Sequence, residues 1–296
     1  MFRGMNLSEL STAFGDLVAN SEKSSVLVYG ARCDTASGVA WTKDLVVTAA
    51  HSLERERGLE VGLAGGREEA TLLGADPASN IAVLRVDAEL SPLPRADTSR
   101  LRTGELAVAL GRGTRGAFAR LGMLARVGGE WRLAGGQRVE RFIQTDIAPS
   151  SGLSGSALVS ADGGLIGLNL AGLARGSLVT LPAATVDAVV SAIATHGRVR
   201  RARLGVGLER VELPRALGER LGRRSGLLVL SVLEGGPAER AGLLLGDVIL
   251  ALGGQAVERV QELQGLLGEG AVESELSVSL LRAGSELVVS VTPEAR

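Results

Sequence analysis

The chain has 296 residues, of which 45% are hydrophobic, 22% charged and 41 glycine, with a formal net charge of -1. This length fits two domains better than one, the glycine content fits an all-β chain with many tight turns, and the near-neutral charge excludes a general pull toward nucleic acid or an anionic membrane. Two histidines and one cysteine leave no Cys/His cluster for zinc and no internal disulfide, and no run approaches the roughly 20 apolar residues of a membrane span.

Taken in chain order, residues 6–18 place Leu7, Leu10, Phe14, Leu17 and Val18 on one helical face, with Asn6 and Glu9 at capping-box spacing. No apolar signal-peptide core accompanies this helix, so the sequence as given reads as unexported and cytoplasmic. From Ser25 onward the pattern changes to short β-rich runs divided by glycine: Val26–Tyr29, Leu45–Thr48, Ile81–Val86, Leu106–Leu110 and Leu165–Leu170. Strands at this spacing predict a sandwich or barrel, and Cys33 among them reads as a small filler. A helix over Ala183–Thr195 closes the region. The segment His196–Arg203, with Arg198, Arg200, Arg201 and Arg203, reads as a solvated linker, the alternative being a basic patch for an acidic partner. Strands at Leu204–Val211, Leu227–Val232, Val248–Leu252, Leu276–Leu281 and Leu287–Val291, with one helix near Val257–Leu267, predict a separate small α+β module.

Three segments carry chemistry in combination. Val46-Val47-Thr48-Ala49-Ala50-His51 is a strand that ends in small residues and a histidine, which leaves room for another backbone beside the imidazole. Gln144-Thr145-Asp146 followed by Ser151-Gly152-Leu153-Ser154-Gly155-Ser156-Ala157-Leu158 sets a serine in a glycine-flanked turn, where backbone N–H groups can converge on one point. The third segment is Gly74-Ala75-Asp76-Pro77-Ala78-Ser79-Asn80-Ile81-Ala82-Val83-Leu84.

In the chain order histidine, acid position, serine, these segments resemble the trypsin-like proteases, and the Asp-Pro run leading into Ile-Ala-Val-Leu resembles the HtrA branch. The likeness extends through Leu106–Gly111, Leu165–Asn169 and Val179–Pro182. It implies a mainly β fold, a chymotrypsin-like double β-barrel over residues 25–198 preceded by the helical segment 1–24. Ser154 would be the nucleophile, His51 the general base, and the N–H groups of Gly152 and Ser154 the oxyanion hole. The triad's acid position is Asn80, an amide that brings no charge and can favour the wrong imidazole tautomer, so the expected proteolysis is slow or absent. Measured along an extended strand, Asp76 would lie about 13 Å and Asp87 about 23 Å from Asn80, which makes neither an easy substitute. Ser156-Ala157 stands where the family's usual pair is Gly-Pro, and the strand Ser177–Leu181 is expected to line a pocket for a small apolar side chain.

Gly111-Arg112-Gly113-Thr114-Arg115-Gly116 satisfies a dinucleotide fingerprint, but Gly122, Gly128 and Gly129 argue against the helix that fingerprint needs. No metal or other cofactor is expected.

Leu204-Gly205-Val206, Gly226–Val232, Gly235-Gly236-Pro237-Ala238, Ala241-Gly242 and Gly246-Asp247-Val248-Ile249 resemble an HtrA-type PDZ domain, assigned here to residues 199–296. The resemblance implies capture of C-terminal peptides, with Leu204, Gly205 and Val206 as the carboxylate-binding loop and Leu263 and Leu267 in an apolar pocket or in the core. It further implies unfolded or misfolded protein substrates, a homotrimer, and a periplasmic location if a leader once preceded the sequence; the N-terminal helix is expected to pack on its own domain, the alternative being a trimer contact. The alternative to a quality-control endopeptidase is a pseudoprotease that binds peptides without cleaving them.

Overall fold

A computed structural model describes residues 6–31, 34–63, 65–133, 136–174 and 177–295; Cys33 lies outside them. The first helix is α1 (Leu7–Ser21), whose Asn6–Glu9 capping box closes as expected: Glu9 N–H donates to Asn6 Oδ1 at 2.9 Å and Asn6 N–H to Glu9 Oε2 at 3.0 Å.

Six antiparallel strands then form a closed barrel: β1 (Ser25–Ala31), β2 (Asp34–Ala40), β3 (Leu45–Ala49), β4 (Leu59–Leu63), β5 (Gly66–Asp76) and β6 (Ile81–Val86), in the order β1-β2-β3-β6-β5-β4. Valine and leucine alternate inward to fill it, with Val26, Val28, Val46, Leu59, Val61 and Leu84 fully buried. β3 is buried along its whole length, and so on both faces.

The next strands are β7 (Leu106–Gly113), β8 (Gly116–Val127), a small pair β9 (Trp131–Arg132) and β10 (Arg138–Val139), then β11 (Ile143–Thr145), β12 (Ala157–Ser160), β13 (Leu165–Ala174) and β14 (Ser177–Pro182). A second closed barrel runs β11-β14-β13-β12-β7-β8. The dinucleotide-like glycines fall in the β7–β8 hairpin, where Gly113 pairs with Gly116 and no helix opens, so the pyrophosphate-binding geometry is not formed. Ser37 of β2, fully buried, joins the barrels: its hydroxyl accepts the Arg112 N–H at 3.1 Å. Helix α2 (Ala183–His196) follows; its Asp187 takes the indole N–H of buried Trp41 at 2.6 Å and an Arg95 N–H at 3.0 Å.

By its contacts the chain divides into two compact units, Met1–Trp131 with Val139–Val199, and Arg132–Arg138 with Arg200–Arg296. The second unit contains β15 (Ala202–Arg203), β16 (Val206–Glu212), α3 (Arg215–Leu221), β17 (Ser225–Val232), α4 (Pro237–Arg240), β18 (Val248–Leu252), β19 (Gln255–Ala256), α5 (Val260–Leu266), β20 (Leu276–Arg282), β21 (Ser285–Val291) and β22 (Glu294–Ala295). Its main sheet is ordered β16-β17-β18-β20-β21, so β16 is an edge. One buried charge belongs to this core: Asp247, 1% exposed, accepts Arg282 Nε–H and Nη2–H, each at 2.8 Å, and the Leu244 N–H at 2.8 Å. Burial alone would raise its carboxyl, but the guanidinium fork and the backbone N–H outweigh that and hold it below the usual carboxylate range.

Candidate active site

Strand register brings the first two site residues together. β3 and β6 pair antiparallel with Ala49 opposite Ile81; one step further, Ala50 N–H donates to Asn80 O at 2.9 Å, and His51 follows in a single 3-10 turn. Asn80 leads into β6 with φ +59°, a left-handed conformation that asparagine tolerates. Its Oδ1 accepts the His51 backbone N–H at 2.9 Å, which fixes the amide's orientation, since a flipped side chain would set donor against donor. Nδ2 then stands 2.7 Å from His51 Nδ1, closer than Oδ1 at 3.0 Å. A donor at that nitrogen selects the tautomer protonated at Nε2. An aspartate would instead accept a proton from Nδ1 and free the Nε2 lone pair for a serine hydroxyl.

The expectation that Asp76 lies far from Asn80 is corrected. Residues 77–80 form a turn rather than extended strand, so Asp76 of β5 pairs with Ile81 of β6. Its buried carboxylate is nevertheless held in that turn, accepting the Ser79 hydroxyl at 2.6 Å and the Ser79 N–H at 3.1 Å. Asp87 is exposed beyond the other end of β6.

Ser150–Leu153 form a turn closed by Leu153 N–H donating to Ser150 O at 3.2 Å. With Gly152 at φ +82° in its third position, the turn is type II, a conformation glycine adopts without strain. In the run 152–156, the N–H groups of Leu153, Gly155 and Ser156 are bonded to Ser150 O, Asn169 O and Leu153 O. Among the described residues, those of Gly152 and Ser154 have no acceptor, which leaves two donors for a developing oxyanion. Gly155, at φ +85°, lies against the histidine-bearing barrel: a Cβ there would be 2.4 Å from Ser37 O and 3.0 Å from Ala49 N. That close approach seats the serine turn beside the end of β3.

Ala171, which the sequence reading did not single out, links the two halves. Its N–H donates to Ser154 Oγ at 3.1 Å, and its carbonyl takes a long bond from Asn80 Nδ2 at 3.5 Å. Among the described residues no hydrogen bond joins Ser154 to His51. Of the strand expected to line a specificity pocket, Leu178, Val179, Thr180 and Leu181 are buried, Leu178 in one apolar cluster with Ile147 and Leu153.

In the second unit, the Leu204–Gly205 loop spends its carbonyls inward: Ala238 N–H donates to Leu204 O and Leu233 N–H to Gly205 O, both at 2.8 Å. Among the described residues the N–H groups of Leu204 and Gly205 have no partner. Val206 and Leu208 on the β16 edge are half-buried, as are Val260 and Leu266 of α5. Leu263 and Leu267 are buried within the core cluster, as is Leu204.

Comparison with known proteins matches residues 36–168 to the trypsin-like peptidase domain and residues 202–292 to the PDZ domain. The probable periplasmic serine endoprotease DegP-like of Marinomonas sp. (strain MWYL1) is 32% identical over 277 residues, 90% of this chain and 58% of the relative. The periplasmic serine endoprotease DegP of Escherichia coli (strain K12) is 32% identical over 258 residues, 84% of this chain and 54% of the relative. A solved structure of the HtrA-type protease AlgW with a decapeptide superposes with a TM-score of 0.78 at 26% identity, covering 96% of this chain and 98% of that one. The chain belongs to the HtrA family. It spans little more than half the length of these curated relatives.

Within the HtrA frame two departures stand out. Asn80 stands where the resemblance sets the family's acid, and Ser156 where it sets a glycine. No helix among the described residues is long and apolar enough to cross a membrane.

Proposed function

We propose that this chain is a slow HtrA-type serine endopeptidase of protein quality control, with Ser154 as nucleophile, His51 as general base and Asn80 in the acid position. Ser154 Oγ would bond to the scissile carbonyl carbon while its proton passes to His51 Nε2. The carbonyl oxygen, now an oxyanion, would take the N–H groups of Gly152 and Ser154. His51 would return the proton to the leaving amine as the C–N bond breaks, and water, activated by the same imidazole, would hydrolyse the acyl-enzyme. The bond from Asn80 Nδ2 to His51 Nδ1 carries the rate assignment: base catalysis requires the other tautomer, with Nδ1–H directed at Oδ1 3.0 Å away, and the amide offers the resulting imidazolium no charge. The apolar cluster containing Leu153 and Leu178, with half-buried Ala171 packed against it, supports a small apolar side chain at the cleavage position.

The second unit, in the same proposal, binds the C-terminal residues of unfolded or misfolded proteins, supported by the N–H groups of Leu204 and Gly205, which have no partner among the described residues, beside the β16 edge. A homotrimer is proposed on family grounds, supported by α1, where Leu7 is 86% exposed; a monomer in light scattering would exclude it.

A pseudoprotease reading is favoured by the same Asn80–His51 bond. Fluorophosphonate treatment separates the two: a covalent adduct on Ser154 supports the slow enzyme, and an unlabelled serine supports the binder.

A further inference from the structure

The hydroxyl of Ser156 belongs to a series of hydrogen bonds that runs in one direction through fully buried residues. Thr180 Oγ1 donates to Asn169 Oδ1 at 2.7 Å. Asn169 Nδ2 donates to Ser156 Oγ at 3.0 Å and to Ala157 O at 3.0 Å. Ser156 Oγ donates to Leu153 O at 2.6 Å, and the same carbonyl takes the Ser156 backbone N–H at 3.2 Å. The two oxygens facing Nδ2 and the hydroxyl facing Oδ1 leave the Asn169 amide one orientation, and bonds in series in a low-dielectric interior polarise one another.

The consequence lies in a single peptide plane. Leu153 C=O and Ser154 N–H belong to one planar trans amide and point in opposite directions. Two donors from Ser156 on the carbonyl therefore also fix where the Ser154 N–H points. We propose that Thr180, Asn169 and Ser156 form a positioning device that aims the Ser154 N–H into the oxyanion cradle without touching substrate. The inference rests on the hydrolytic reading above. Simple core packing makes a different forecast, because effects would then follow side-chain volume, whereas positioning follows the hydroxyl groups.

The test uses the full chain carrying Asn80→Asp, with peptide hydrolysis, fluorophosphonate inactivation of Ser154 and the melting temperature measured on each variant. Because losing a whole oxyanion donor lowers turnover about 10²- to 10³-fold, misdirecting one in Ser156→Ala is expected to lower kcat and the inactivation rate about 10- to 100-fold with KM unchanged. Thr180→Val, close in volume but without the hydroxyl, should move the rates in the same direction, and Thr180→Ser should retain them. Parent-like rates in Ser156→Ala, or a Thr180→Ser variant as slow as Thr180→Val, would overturn the proposal. A crystal structure of Ser156→Ala gives a readout independent of catalysis: a rotated Leu153–Ser154 peptide plane is expected, and an unmoved plane refutes the device. If the Asn80→Asp parent itself leaves Ser154 unlabelled, the hydrolytic reading fails, while the crystal comparison still decides whether Ser156 sets the plane.

Discussion

Asn80 grips His51 at two points, taking its backbone N–H on Oδ1 at 2.9 Å and approaching its ring Nδ1 with Nδ2 at 2.7 Å. The backbone bond survives replacement of the amide by a carboxylate, so Asn80→Asp should leave the fold in place while reversing the proton on the ring. In a chymotrypsin-type protease the opposite exchange lowers turnover about 10⁴-fold with the geometry intact, and the expected gain here is about 10³- to 10⁴-fold in kcat for an unfolded protein substrate. Equal cleavage rates before and after the substitution would show that Asn80 does not limit the reaction.

The site's members were legible because each motif is local: a strand ending at His51, a glycine-flanked Ser154, and the run into Ile81. What joins them was less so. Asp76 seemed remote when residues 76–80 were read as extended, yet the turn at 77–80 sets it opposite Ile81. Ser156 appeared only as a departure from a family pattern, because its partner Asn169 and the next link, Thr180, lie 13 and 24 residues away and meet it only through barrel pairing. Helix α3 went unread because a seven-residue segment containing Gly218 and ended by Gly222 has little periodic signal. Leu263 and Leu267 illustrate a further limit, since helical spacing cannot distinguish a groove-lining leucine from one turned into the core.

Gly155 gives a steric prediction. In Gly155→Ala the new methyl would meet Ser37 O at 2.4 Å and Thr48 Oγ1 at 2.9 Å, and the first of these is backbone that cannot swing aside. Overpacking typically costs about 1–3 kcal/mol, and a Cβ at φ +85° adds about 1–2 kcal/mol. A lowered melting temperature together with slower Ser154 labelling is expected. A variant as stable and as reactive as the parent would mean that the barrels do not need this contact.

At the β16 edge, a peptide ending in an apolar residue should add as a further strand, its terminal carboxylate on the Leu204–Gly205 N–H groups. Isothermal titration with such a peptide should give binding that disappears when the C-terminus is amidated. Leu208→Asp, which puts a charge on this half-buried edge position, should weaken the same binding at least tenfold. Unchanged affinity for the amidated peptide would remove the carboxylate assignment.

The Asp247–Arg282 pair predicts opposite pH responses in parent and variant. In the parent the folded carboxyl lies below its ordinary value, because the Arg282 fork and the Leu244 N–H outweigh desolvation. Its contribution is therefore present above the unfolded pKa of about 3.9 and is lost as pH falls through the lower folded value. Arg282→Met removes the fork and leaves a carboxylate only 1% exposed without its cation. Breaking a buried pair in this way costs about 3–5 kcal/mol at neutral pH. The folded pKa of Asp247 would then lie above the unfolded one, since burial now favours the neutral acid, and stability should rise as pH is lowered from 7 toward 4. Calorimetry from pH 7 down to below the unfolded carboxyl pKa of about 3.9 checks both signs, the variant's above that value and the parent's below it. A variant whose melting temperature falls with acidification in parallel with the parent's would show that Asp247 is not the group responsible.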